Sequence, residues 1–112
     1  MKLPNAGQAI IEVAKVRDYL LSPEHPVGRS KARFFRALGF PSDRWLQFLG
    51  ELKRIALEGE AELGERIDFG QKYIVGGTIV GTQGRTARIS TVWILRNDEE
   101  TPRLVTAYPE DE

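Results

Sequence analysis

The side chains with the most evident chemistry are His25, Lys31, Arg85, Thr91, Trp93, Arg103 and Thr106. His25 is the only imidazole in the chain and sits between Pro23, Pro26 and Gly28, a composition that makes a turn. Its reference pKa of about 6.5 suits proton exchange near neutrality. Lys31 falls in the first turn of a predicted helix, where the helix dipole disfavours a cation, so an anionic partner would relieve a local mismatch. Arg85 leaves a predicted hairpin turn and Arg103 opens a predicted strand, and either guanidinium can hold an anion through paired N–H groups. Thr91 and Thr106 offer hydroxyls, and Trp93 offers a ring on which a base can stack.

Each of these residues also has a plainer role. A lone histidine in a Pro/Gly turn can simply face solvent, Lys31 can solvate a helix end, and Arg85 can decorate a turn. Threonine suits strands for its own sake. Arg103 lies close enough in sequence to Asp98, Glu99 and Glu100 to pair with them. A tryptophan on a central strand is most often core.

Charge is balanced in sum and uneven in distribution. Sixteen basic and sixteen acidic residues cancel, so the chain lacks the basic excess common in nucleic-acid-binding proteins. Yet His25 to Arg36 holds Arg29, Lys31, Arg33 and Arg36 with no acid, and Phe69 to Arg96 holds Lys72, Arg85, Arg88 and Arg96 with none. Acids gather at Asp98–Glu100 and in the tail Glu110–Glu112, which is expected to be solvated rather than to cover a basic surface. The absence of cysteine excludes disulfides, thiolate ligands and a thiol nucleophile. No acidic spacing matches a calcium or magnesium loop, so neither a metal nor another cofactor is expected. No apolar run has the length of a signal peptide or a membrane span, and the chain reads as cytoplasmic, with no membrane partner.

These residues must be positioned by a single domain, because 112 residues at 41% hydrophobic composition suffice for one core. An extended lead-in precedes a first helix from about Glu12 to Leu21, with Val13, Val16 and Leu20 on one stripe and Ser22-Pro23 as its stop. Ser30 is expected to cap a second helix that runs to Gly39, a left-handed C-cap. Ser42 or Asp43 begins the longest helix, whose apolar stripe is Trp45, Phe48, Leu49, Leu52, Ile55 and Ala56. Gly59 ends it, and the polar segment to Glu65 reads as loop or a fraying turn.

Three antiparallel strands follow, at about 72–80, 86–96 and 102–108. The expected class is α+β, with three N-terminal helices and a small antiparallel sheet of about three strands. Alternation on the second strand separates Arg88, Ser90, Val92 and Ile94 from Ile89, Thr91 and Trp93. If Leu104 pairs near Ile94, then Val92, Ile94 and Leu104 face the helices, leaving Thr91, Trp93 and Arg103 near the opposite face. A slip of one residue exchanges the two groups.

Several short motifs together carry a family resemblance: Lys2-Leu3-Pro4-Asn5-Ala6, Asp18-Tyr19-Leu20-Leu21, His25-Pro26-Val27-Gly28 with Lys31-Ala32, Gly84-Arg85-Thr86-Ala87, Thr91-Val92-Trp93-Ile94 and Pro102-Arg103-Leu104-Val105-Thr106. Across nearly the whole chain, the sequence resembles a small bacterial domain that occurs alone and at the C-termini of polymorphic toxins. Its members are similar to the Barnase, EndoU, colicin and RelE superfamily of RNA-cleaving toxins. The resemblance implies an intracellular toxin of a toxin-antitoxin or polymorphic toxin system, neutralised by a cognate antitoxin or immunity protein.

The implied activity is metal-independent endoribonuclease chemistry, with the RNA's own 2′-hydroxyl as nucleophile. In that reading His25, Lys31, Arg85 and Arg103 form the catalytic set, and Thr91, Trp93 and Thr106 bind substrate. The alternative is a non-catalytic module of the same fold that binds protein or nucleic acid. Convergence of the four catalytic side chains on one cleft favours the enzyme, and their dispersal favours the binding module. The oligomeric state is not legible in the sequence.

Overall fold

The structure, a computed structural model, describes residues 1–21 and 29–110, without the side chains of residues 19, 29, 30 and 42. The expected turn around His25, from Ser22 to Gly28, therefore lies outside the described residues. The lead-in makes a short 3₁₀ turn at Ala6–Gln8 after Asn5, which adopts a left-handed conformation. Helix α1 covers Val13–Lys15 and runs on as a π-helical turn over Val16–Leu20. The Leu21 amide bonds to the Val16 carbonyl at 2.9 Å. The wider turn changes the helical phase, so Val16, Leu20 and Leu21 are all fully buried while Val13 is exposed.

Helix α2 spans Arg29–Ala37, which places Ser30 inside the helix rather than before it. Its end is as expected: Gly39 has a φ of 99°, a conformation open to glycine and strained for other residues. A 3₁₀ turn at Ser42–Arg44 leads into helix α3, Trp45–Glu58, and Arg44 at its N-cap makes no capping hydrogen bond through its side chain. Phe48, Leu52, Ile55 and Ala56 are its buried stripe, while Trp45 and Leu49 are only partly covered. Phe35 of α2 and Phe40 meet Phe48 with ring centroids 4.7 Å and 5.3 Å away.

The sheet has four antiparallel strands in the order β1 (Ala61–Ile67), β2 (Gly70–Val80), β3 (Thr86–Arg96) and β4 (Arg103–Pro109). The α+β class holds. The sheet has one strand more than expected, and the helical elements run past the middle of the chain to Glu58. The added strand is β1, read from sequence as loop or a fraying turn. Glu62, Glu65, Arg66 and Gly64 give it poor intrinsic strand preference, and pairing with β2 supplies the order that local composition does not. A two-residue turn, Asp68-Phe69, joins the two.

Register settles which face meets the helices. Trp93 pairs with Leu104 and Ile94 with Arg103, and Val105 bulges between the Trp93–Leu104 and Val92–Thr106 pairs. Ile89, Thr91, Trp93, Leu104 and Ala107 therefore join the core shared with the helices. Val92, Ile94, Arg103 and Thr106 share the opposite face: Leu104 and Arg103 lie where expected, while Thr91 and Trp93 change places with Val92 and Ile94 because Leu104 pairs with Trp93 and not with Ile94. Gly77 lets α3 approach the sheet closely, since a Cβ there would lie 2.9 Å from the Ile55 Cγ2.

Both edges are partly covered. Beyond the end of β1, α3 covers β2 with side chains: Arg54 donates to the Thr78 carbonyl at 2.7 Å, and Glu51 accepts the Val80 amide at 2.8 Å. Ile10 forms a parallel bridge with Arg103 on the outer side of β4. Such contacts occupy backbone groups that would otherwise recruit another strand.

Candidate functional site

The sheet face opposite the helices and the N-terminal end of α2 meet at Lys31 and Thr106. The Lys31 ammonium donates to the Thr106 Oγ1 at 2.7 Å, in a partly buried contact between residues 75 apart in sequence. Helix α2 points the lysine across the edge of β4, and the bulge at Val105 sets the phase that brings Thr106 opposite Val92. Lys31 sits in the first turn of α2 and follows closely on the segment that carries His25. The arrangement offers a fixed positive charge and a hydroxyl, a pair suited to binding an anionic oxygen.

The remaining residues singled out from sequence do not join this pair. Arg85 donates from Nη1 to the Ala37 carbonyl at 3.0 Å, closing the C-terminal end of α2. The Ala37 backbone that holds it is about 9 Å further along the helix axis than that of Lys31, at 1.5 Å rise per residue. Thr82 bonds to the Gly39 carbonyl beside it, so the β2–β3 turn is docked on the end of α2. Arg103 makes two hydrogen bonds to Glu99, each 3.0 Å, and approaches Glu12 at 3.8 Å. Those hydrogen bonds, then the opposing charge, hold the Glu99 carboxyl below its ordinary range and the Arg103 guanidinium above its own.

Arg85 and Arg103 cannot share a phosphate. The run of β3 from Arg85 to Ile94, the partner of Arg103, extends about 30 Å at the rise of a strand. The expected convergence of four catalytic side chains is therefore not what the described residues form. His25 lies outside them, Lys31 meets Thr106, and the two arginines occupy opposite ends of the sheet.

Thr91 and Trp93 are both fully buried. The Thr91 hydroxyl donates to the Val75 carbonyl at 2.8 Å and accepts the Trp93 indole N–H at 2.8 Å. With every polar atom satisfied inside the core, the tryptophan has no open ring face for a base, and the plainer reading of both residues is the observed one.

A cleft of about 460 Å³ opens beside Gly76 and Gly77 and contains none of the residues singled out from sequence. Its two guanidinium groups are already held by carboxylates, Arg54 by Glu51 and Glu58, and Arg88 by Glu110. The first residue of the acidic tail thus folds back onto a basic strand position rather than standing free in solvent. Among the described residues no cluster of three or more His, Asp or Glu side chains is arranged to hold a metal ion, and no helix is long and apolar enough to cross a membrane.

These features define a small α+β domain with a lysine–hydroxyl pair at the junction of its second helix and its sheet edge. The chain belongs to the family described as Domain of unknown function (DUF6883), whose model matches residues 2–111. No curated protein matches it in sequence. Its fold is similar to that of one chain in the contact-dependent growth inhibition toxin–immunity protein complex from Klebsiella pneumoniae 342, with a TM-score of 0.72 over 96% of this chain and 97% of the other. At 16% identity the likeness is one of fold.

Proposed function

We propose that this chain is a toxin-like domain that cleaves RNA without a metal, by attack of a 2′-hydroxyl on the adjacent phosphate. The observation that carries the reading is the Lys31–Thr106 pair, which joins the basic start of α2 to the open sheet face. In the step envisaged, a bond forms between the 2′-oxygen and phosphorus while the bond to the 5′-oxygen breaks. His25 exchanges the proton, and Lys31 stabilises the charge that grows on the phosphorane oxygens. Thr106 orients the ammonium and hydrogen-bonds the sugar or phosphate. The fold shared with a chain of a toxin–immunity protein complex supports a toxin-like role held in check by a cognate partner.

The second reading, a binding module without catalysis, is favoured by one observation: Arg85 and Arg103 are engaged at opposite ends of the sheet. Purification with the neighbouring gene product, release of the domain and incubation with cellular RNA separates the two. Cleavage by the wild type, lost in His25→Ala and in Lys31→Met, supports the enzyme. No cleavage by the freed wild type leaves the binding module.

A further inference from the structure

Away from Lys31 and Thr106, the same sheet face ends in a second hollow, of about 280 Å³. That is close to the lower end of the roughly 300–1,000 Å³ usual for small-molecule sites. Ile94, Phe69, Lys72, Arg96 and Arg103 line it, with one acid, Glu12, beside Arg103. Phe69 is 59% exposed, which leaves its ring open to a ligand. The backbone of its turn is anchored. The Asn97 amide bonds to the Phe69 carbonyl at 2.9 Å, the Asn97 side chain to the Asp68 carbonyl at 2.8 Å, and Arg66 to Asn97 at 3.1 Å.

The charges are unequally committed. Arg103 is held by Glu99 and Glu12, and Lys72 has only a 3.6 Å approach to the exposed Glu65. The Arg96 guanidinium makes no hydrogen bond or ion pair among the described residues and feels the Glu99 carboxylate only as a charge at longer range, and it belongs to the acid-free stretch from Phe69 onward. An exposed ring on an anchored turn, beside a guanidinium that makes no hydrogen bond and a weakly engaged ammonium, is an arrangement that stacks a base while holding its phosphate.

We propose that this hollow is a nucleotide subsite for single-stranded RNA, with the base on Phe69 and the phosphate on Arg96 and Lys72. It rests on the RNA-directed reading above and extends it. Arg103 and Thr106 lie on one face of β4 opposite Ile94 and Val92, about 7 Å apart at strand rise, so a strand engaged at Lys31–Thr106 reaches the hollow within a short run of nucleotides. A hollow of about 280 Å³ is on the scale of one small ligand, which a single nucleotide matches.

The test measures anisotropy of a fluorescein-labelled, mixed-sequence single-stranded RNA carrying 2′-O-methyl groups, which resists cleavage, with cleavage of unmodified RNA assayed in parallel. Phe69→Ala is expected to weaken binding about 5- to 150-fold, and Phe69→Trp to retain it. Arg96→Ala is expected to reduce the slope of log affinity against log salt by about one. Thermal melts of these surface variants should match the wild type. If the wild type cleaves RNA while Phe69→Ala and Arg96→Ala bind it as tightly as the wild type, the subsite is wrong and the proposed function stands. If the wild type neither binds nor cleaves RNA, both fail. If the variants keep RNA but release an acidic protein partner, the hollow is a protein contact and the proposal is overturned.

Discussion

The Trp93 indole donates to the Thr91 hydroxyl at 2.8 Å, with both side chains fully buried. That hydroxyl also donates to the Val75 carbonyl, so one threonine satisfies a neighbouring strand and the largest side chain of the core. Thr91→Val keeps the shape and strands the indole N–H. The expected loss is about 1–3 kcal/mol in urea unfolding, with the proposed RNA cleavage per folded molecule unchanged. A selective loss of cleavage without destabilisation would return Thr91 to the site.

Lys31→Met removes the charge and keeps most of the apolar stem. It should lower the cleavage rate by about 10²–10³, the effect of deleting one preorganised electrostatic donor, while the thermal midpoint moves little. Thr106→Val should act in the same direction and more weakly. Single-turnover rates alongside melting curves separate this from misfolding.

Arg85 and Arg103 are expected to be structural. Arg85→Ala removes a hydrogen bond from the end of α2 and should cost about 0.5–1.5 kcal/mol in unfolding free energy. Cleavage by the folded fraction should persist. If cleavage collapses in Arg85→Lys while stability holds, the residue reaches the substrate after all.

Glu51 and Arg54 close the bare edge of β2, and their contribution should depend on pH. Partial burial works to raise the Glu51 pKa, but hydrogen bonds from Arg54 and the Val80 amide, with the Arg54 charge, bring it below its ordinary value. A carboxylate depressed in the folded state stabilises the fold above its unfolded pKa, and that contribution is lost as pH falls through the folded-state value. Glu51→Gln should therefore cost about 0.5–1 kcal/mol near neutrality, and the gap from the wild type should close in acid. Urea unfolding near neutrality and at strongly acidic pH measures the gap. A gap that stays constant would show that ionisation of Glu51 contributes nothing.

By itself the sequence determined the α+β class, the apolar stripe of α3, the glycine cap of α2 and the three strands after Gly70, because each is written in local periodicity or in a residue's own conformational preference. It did not determine β1, whose charges and glycine oppose a strand until β2 offers its backbone. Alternation in β3 fixed which residues share a face, yet it left open which face meets the helices, since Arg88, Ser90 and Thr91 place polar groups on both. Tertiary structure decided that by satisfying Thr91 inside the core and bulging β4 at Val105. It also separated Arg85 from Arg103 and brought Lys31 to Thr106 across 75 residues of chain. Contacts at that separation follow from register and packing, which no local pattern encodes.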